Sequence, residues 1–248
     1  MKNKIALITG ATSGIGWATA ERLAEAGVQL ILCGRRTEKL EALAKAVGGN
    51  PQLLTFDVRD KEAVFQAVDS LPNAWKSIDL LVNNAGNAHG LDPVQTASLG
   101  DWEGMIDGNV KGLMYVTKAV RPHMIAAKKG QIINLGSIAG KEIYPNGSVY
   151  CSSKAAVDFF TRGLRIDLNP LGIRVGAIHP GLVETEFSEV RFKGDQTRAK
   201  SVDEGIGALT AKEVADAIFY MDQVHEKVTI ADLVILATRQ ANAYINNR

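Results

Sequence analysis

Cysteine is scarce in this chain, and neither sign of charge is in excess. The 248 residues hold two cysteines, Cys33 and Cys151, and their separation matches no metal-binding pattern, so no metal is expected. Cys33 lies in an apolar run where a free thiol acts as a small apolar residue. Cys151 follows Tyr150 and reads the same way, a reactive thiol being the other reading. Two isolated cysteines suit a reducing compartment, and a cytoplasmic protein is expected. Lys and Arg number 28 against 27 Asp and Glu, a net charge of +1. No global field therefore recruits nucleic acid or an anionic membrane, and no block of like charge appears. The opening Met1–Gly10 is basic and then apolar, as in a signal peptide. Its apolar run is too short, and a glycine-rich turn follows at once. No membrane span is expected. Neither a Pro/Gly/Ser-rich linker nor an internal repeat divides the chain. Residues 1–248 therefore read as one domain, with apolar and charged fractions of 46% and 22% typical of a globular enzyme.

What is present is an alternation. Strand-like apolar runs fall at Ile5–Thr9, Val28–Cys33, Gln52–Phe56, Leu80–Val82, Gln131–Leu135, Arg174–Ile178 and Leu233–Leu236. Helical patterns separate them at Gly16–Ala26, Thr37–Val47, Lys61–Ser70, Leu99–Ala127, Ser148–Leu168 and Ala211–Asp222. Short buried strands alternating with helices predict a parallel sheet covered on both faces. Right-handed crossovers make it an α/β, doubly wound sheet of about seven strands, which binds ligands beyond its carboxyl edge.

The first turn, Gly10-Ala11-Thr12-Ser13-Gly14-Ile15-Gly16, follows a strand and opens a helix, the setting a dinucleotide fingerprint requires. Gly10 permits the tight turn, Gly14 lets backbone approach a pyrophosphate, and Gly16 allows close helix–strand packing. The turn from Thr12 to Ile15 then offers free amides to phosphates, with Ser13 adding a hydroxyl. After the second strand come Gly34-Arg35-Arg36, with no acid to hold a ribose 2′-hydroxyl. Two guanidiniums there suit a 2′-phosphate and hence NADP(H), although Arg36 reads equally well as a solvated charge at a helix start. Asp57-Val58 ends the third strand, with Asp57 placed to accept from an adenine amino group or to cap a helix. Asp60 is the better cap. Asn83-Asn84-Ala85-Gly86 ends the fourth strand. Asn83, Ala85 and Gly86 are expected at the cofactor, while Asn84 and Gly86 also serve the structure. Pro180-Gly181 ends the sixth strand, and backbone after it, at Val183 and Thr185, is positioned for the nicotinamide carboxamide. A loop over about residues 182–210, where periodicity is lost, reads as a substrate loop.

The stretch Asn134–Lys154 carries the chemistry. Ser137 ends a strand at the carboxyl edge, and Tyr150 and Lys154 are four apart on one helix face. A nearby ammonium favours the phenolate, and together with the charge of an oxidised nicotinamide it is expected to lower the Tyr150 pKa by about two to three units. Ser137 and Tyr150 can then hold one substrate oxygen while Tyr150 moves the proton. Asn109, in Asp107–Gly112, is a poor helix-interior residue and requires either a kink or a role in the site. A distorted turn there would let its carbonyl hold a water near Lys154. Arg191, and after it Lys193, are the cations placed to meet a substrate carboxylate, solvated charges being the other reading.

Taken together, Thr9-Gly10-x-x-x-Gly14-x-Gly16, Asp57, Asn83–Gly86, Asn109, Ser137, Tyr150-x-x-x-Lys154 and Pro180-Gly181 resemble the short-chain dehydrogenase/reductase family over nearly the whole chain. The resemblance implies a Rossmann-type fold and an Asn109–Ser137–Tyr150–Lys154 tetrad. In it Tyr150 exchanges the proton, and Lys154 binds the nicotinamide ribose and lowers the phenol pKa. Ser137 steadies the substrate, and Asn109 supports a water chain from Lys154. Gly34-Arg35-Arg36, Asp79–Gly86, Asp101-Trp102-Glu103 and Glu186–Asp195 are further similar to the NADP-dependent 3-hydroxy acid dehydrogenases. That branch implies hydride transfer between nicotinamide and the carbinol carbon of serine, allo-threonine or a 3-hydroxypropionate/malonic semialdehyde pair. It also implies a small-molecule substrate and a homotetramer. A broad carbonyl reductase acting on neutral ketones and aldehydes, and a nucleotide-binding scaffold without turnover, are the alternatives.

Overall fold

The computed structural model describes residues 4–198 and 205–247. Its strands are β1 (Ile5–Thr9), β2 (Gln29–Gly34), β3 (Gln52–Thr55), β4 (Leu80–Asn83), β5 (Gly130–Leu135), β6 (Ile173–Pro180), β7 (Val183–Glu184), β8 (Leu209–Thr210) and β9 (Asp232–Ile235). Seven of them form one sheet in the order β3-β2-β1-β4-β5-β6-β9, every pairing parallel. β7 and β8 form a separate two-stranded ribbon within the expected substrate loop. The strand order reverses between β1 and β4, and the chain's crossovers therefore leave a crevice at their carboxyl ends.

The sheet divides the core by the period-two rule. Ile5 and Leu7 of β1 face one layer, with Ile31 and Val175, while Ala6 and Ile8 face the other, with Leu32 and Ile178. Each of these fully buried aliphatic side chains is worth about 1.5–3 kcal/mol of transfer free energy. Both faces are covered, which is why the strands read as continuous apolar runs rather than alternating ones. The helices are α1 (Gly14–Glu25), α2 (Thr37–Val47), α3 (Lys61–Asp69), α4 (Leu99–Ile106), α5 (Leu113–Ala127), α6 (Ser148–Leu168), α7 (Phe187–Arg191) and α8 (Ala211–Gln223). Asp60 caps α3, accepting from the Ala63 amide at 3.0 Å, and Thr210 with Glu213 forms a capping box on α8. No described helix is long and apolar enough to cross a membrane.

Two boundaries differ from expectation in ways that shape the site. α1 begins at Gly14, so Gly16 lies inside the helix rather than at its start. The single pattern Leu99–Ala127 is broken between α4 and α5 by a π-helical turn at Asp107–Gly112. Periodicity could not show this wide turn, because its flanks keep the same apolar face.

Candidate active site

A cleft of about 750 Å³ runs along the carboxyl ends of β1, β2, β4, β5 and β6. At its floor the first turn is shaped for close approach. Gly10 holds φ at +64°, and a Cβ there would sit 2.9 Å from the Ala85 Cα. Thr12, Ser13, Gly14 and Ile15 line the cleft, and Thr185 of the expected substrate loop closes over Gly14. Gly16 does not line it. A side chain there would run into the Gly10 carbonyl, so this glycine seats α1 against the turn. Asn84 secures the turn from below, donating to the carbonyls of Thr9 at 2.9 Å and Gly10 at 3.1 Å.

The far end of the cleft is basic. Arg35 lines it with its guanidinium 3.7 Å from Asp57, and Val58 lies beside Asp57. Arg36 donates to the Thr12 carbonyl at 3.0 Å and reaches across to Glu186, also at 3.0 Å. Arg36 is thus an exposed charge at the start of α2, as one reading of it has it, and it also ties the first turn to the segment after β7. Arg59, which the sequence reading passed over, makes paired bonds of 2.7 and 3.0 Å to Asp57. Burial alone would raise the Asp57 pKa. The hydrogen bonds and charge of Arg59, with Arg35, outweigh it and hold the carboxyl below its ordinary range. Asp57 is thus an ionised acceptor already engaged by a guanidinium.

At the other end, Ser137 leaves β5 and opens a short 3₁₀ turn, its hydroxyl accepting from the Ala139 amide at 3.1 Å. Tyr150 and Lys154 lie one turn apart on α6, both buried, and the Tyr150 hydroxyl interacts with the Ser137 side chain. Burial pushes the phenol well above its ordinary pKa. Tyr144 adds to that push, against opposing contributions from Ser137 and Arg191. The protein's own groups therefore hold the phenol up, desolvation outweighing nearby positive charge, and the expected lowering concerns the site with an oxidised nicotinamide in it. Burial also pushes the Lys154 ammonium down to about 8, and its Nζ donates to the Leu135 carbonyl at 2.9 Å. Gly86 lies against this lysine, since a Cβ there would be 3.5 Å from Nζ and 2.9 Å from Asn109 Oδ1.

Of the buried asparagines Asn83 and Asn109, the first sits differently from expectation. Asn83 does not line the cleft. It is buried, and its Nδ2 donates to Thr117 Oγ1 and Asn134 Oδ1, both at 2.9 Å. It braces β4 against β5 and α5, because a strand-end amide enclosed on both faces must find internal partners. Asn109 lies within the π-turn, so the distortion its residue type signalled is present. Its side chain is spent on the loop after Gly86, accepting from the Asn87 amide at 2.7 Å and donating to the Asn87 carbonyl at 2.8 Å. It also donates to Ser153 Oγ on α6 at 2.9 Å.

Arg191 is buried at the end of α7 beside the tyrosines. Its Nε donates to the Gly90 carbonyl at 2.9 Å, and its guanidinium lies 5.5 Å from the Tyr144 ring and 5.7 Å from the Tyr150 ring. Lys193 does not join it. Its ammonium pairs with Asp101 at 2.9 Å, outside the cleft, and its backbone is left-handed (φ +54°). Pro180, Gly181 and Val183 line the cleft as expected. The tail from Gln240 to Asn246 contributes an unexpected wall. Gln240 accepts from the Leu182 amide at 2.8 Å, and Gln240, Ala243, Tyr244 and Asn246 line the cleft. Residues 199–204 of the expected substrate loop lie outside the described residues.

A sequence model described as short chain dehydrogenase matches residues 4–196. The chain belongs to that family. Among similar proteins, the NADP-dependent 3-hydroxy acid dehydrogenase YdfG of Salmonella typhimurium is 45% identical, the alignment covering 96% of this chain and 97% of that one. Sulfoacetaldehyde reductase 2 of Chromohalobacter salexigens is 46% identical, with 96% and 95% covered. A closed form of serine dehydrogenase complexed with NADP+ superposes with a TM-score of 0.94 at 43% identity, covering 98% of this chain and 99% of that one. This short-chain dehydrogenase therefore acts on CH–OH groups as an oxidoreductase, and the features above form the crevice in which members of such a fold bind nucleotides.

Proposed function

We propose that this NADP-dependent short-chain oxidoreductase interconverts a small 3-hydroxy acid and its 3-oxo counterpart, of the serine, allo-threonine or 3-hydroxypropionate type. The observation that carries the proposal is Arg191, a buried guanidinium beside the Tyr150 ring, where a substrate anion would lie one short chain away from the reacting carbon. The glycine turn and the Arg35, Arg36 and Arg59 cluster fit an NADP(H) whose pyrophosphate and 2′-phosphate need close backbone and forked donors. When bound, the nicotinamide supplies or accepts the hydride. The chain's own residues supply the rest.

In the reducing direction, hydride reaches the carbonyl carbon while the Tyr150 O–H gives its proton to the carbonyl oxygen, leaving an alcohol and a phenolate. The raised phenol pKa suits it to arrive protonated, and the Lys154 ammonium, one turn along α6, stabilises the phenolate left behind. Ser137 donates to the same substrate oxygen and fixes its position. Asn109 holds the loop after Gly86, and through Ser153 the body of α6, so that Lys154 stays aligned. Val183 and Thr185 fit the carboxamide end.

A sulfonate-bearing aldehyde is the second reading, favoured by the 46% identity to sulfoacetaldehyde reductase 2, because a sulfonate would use the same Arg191 anchor. The proposal includes a cytoplasmic homotetramer. The large apolar side chains that α6 leaves exposed, Phe159 and Ile166, support the assembly, and the two reduced thiols support the compartment.

The test pairs each acid with its ester. Wild type should prefer malonic semialdehyde or sulfoacetaldehyde to ethyl acetoacetate. Arg191→Leu should raise KM for the anionic substrate by roughly 10- to 150-fold, one charge-assisted hydrogen bond's worth, and leave the ester nearly unchanged. Equal loss on acid and ester would show a neutral-carbonyl reductase instead.

A further inference from the structure

Behind Ser137, on the side away from the cleft, lies a charged cluster that the chemistry above does not use. His179 of β6 is fully buried, with its Nδ1 3.3 Å from the Ser137 carbonyl oxygen. Its ring fills the space at Gly136, where any side chain would collide with it. The other nitrogen, Nε2, is buried without a hydrogen-bond partner and faces Asp232 Oδ1 at 3.4 Å and Asp158 Oδ1 at 3.7 Å. Asp158 stands one turn beyond Lys154 on α6, and Asp232 begins β9. The Lys141 ammonium bridges these two carboxylates, and Arg162 binds Asp158 at 2.8 Å. Two carboxylates and an imidazole would otherwise resemble a cation site, but Lys141 already supplies the cation there.

We propose that His179 is a positioning residue that holds the Ser137 backbone, and with it the Ser137 hydroxyl, at the reacting oxygen. A neutral ring carries one proton; Nδ1 has a hydrogen-bonding geometry to the Ser137 carbonyl and Nε2 has no hydrogen-bond partner, so the proton is assigned to Nδ1, and a charged ring carries one there as well. Without that proton the Ser137 carbonyl, which also accepts from the Gly140 amide at 2.9 Å, would meet a lone pair on its other side. The carboxylates on the far side fix the ring's plane, much as an outer group orients a catalytic or metal-binding imidazole. The consequence reaches the site through one bond, because Ser137 Oγ is fixed relative to its own carbonyl by the turn that follows. A shift of about 1 Å in such a group costs up to roughly 100-fold in rate. The proposal rests on Ser137 contacting substrate, and the experiment separates the two ideas.

Asparagine places its amide nitrogen near the position of Nδ1, whereas glutamine places one near Nε2. His179→Asn should therefore keep kcat within about threefold of wild type, while His179→Gln and His179→Leu should lose roughly tenfold or more in kcat with KM for NADPH unchanged. Turnover is read with malonic semialdehyde and with ethyl acetoacetate, and melting temperatures of all three variants are recorded beside it. A merely structural histidine would instead make kcat follow the melting temperature and leave Asn no better than Gln, and that outcome overturns the proposal. The imidazole ¹⁵N spectrum of the wild-type protein gives a measurement that needs neither turnover nor a folded variant. A protonated Nδ1 is expected, and a bare Nδ1 rules the role out. Loss of turnover in Ser137→Ala tests the contact with substrate separately, since that change leaves the His179 bond to the backbone in place.

Discussion

Arg36 spans the mouth of the cleft, and the competition for its guanidinium can be put in numbers. It donates to the Thr12 carbonyl and to Glu186, each at 3.0 Å, so a 2′-phosphate arriving there must share it with a carboxylate. The Arg36 and Glu186 side chains are 42% and 43% exposed, which places the pair among solvent-screened bridges worth about 0.2–1 kcal/mol. Glu186→Gln removes the competing charge and should tighten NADPH by roughly 1.4- to 5-fold, leaving NADH unchanged. Arg36→Ala removes one charge-assisted bond to the phosphate, worth about 1.5–3 kcal/mol, and should weaken NADPH by roughly 10- to 150-fold. In the double variant the gain from Glu186→Gln should vanish, because it acts only through Arg36. Titration calorimetry with both cofactors at one fixed ionic strength measures all three, since exposed pairs weaken with salt. A Glu186→Gln gain that also appeared for NADH, or that survived without Arg36, would refute the competition.

Three further changes have defined outcomes. Tyr150→Phe should abolish turnover while NADPH binding, followed by fluorescence, stays near wild type, because the ring's packing survives and only the proton is lost. Lys154→Met should abolish turnover yet stabilise the fold by about 3 kcal/mol at neutral pH, the cost of lowering a lysine pKa from 10.5 to about 8. The folded pKa lies below the unfolded one, so that cost is full below about pH 8 and disappears as pH rises to 10.5. Denaturant titrations of both proteins should therefore converge over that window. Gly86→Ala should weaken NADPH binding and cost about 1–3 kcal/mol in a thermal melt, because the new methyl meets Asn109 Oδ1 at 2.9 Å and Asn109 is already held by three hydrogen bonds.

The fold was legible because the central strands are buried on both faces and carry no competing pattern, while the half-exposed edge strands β3 and β9 still read as short apolar runs. The turn Gly10–Gly16 and the pair Tyr150 and Lys154 were legible because their spacing in the chain is also their spacing in space. Residues brought together by tertiary packing were not. Arg59 reaches Asp57 across a short turn, Glu186 reaches Arg36 from 150 positions away, and Gln240 reaches Leu182 from the tail. Asn83 and Asn84 are adjacent identical residues that point to opposite sides of β4, one into the interior and one under the glycine turn. Arg191 and Lys193 are two positions apart, yet one is buried beside the tyrosines and the other pairs with Asp101 at the surface. The burial that raises the phenol pKa was not legible, because it depends on Tyr144, Phe187 and Arg191 closing over Tyr150, and none of those neighbours is near it in the helix pattern.

Asp232 on the last strand and Gln240 in the tail both reach back to parts of the active centre laid down much earlier in the chain. As the polypeptide leaves the ribosome, the nucleotide turn and the tyrosine helix are available long before the strand that closes the sheet edge. A nascent chain stalled short of residue 232 would hold the proton-transfer pair without its rear support or its outer wall. Catalytic competence should thus appear late and abruptly in synthesis, a sequence of events that arrest at successive codons would resolve.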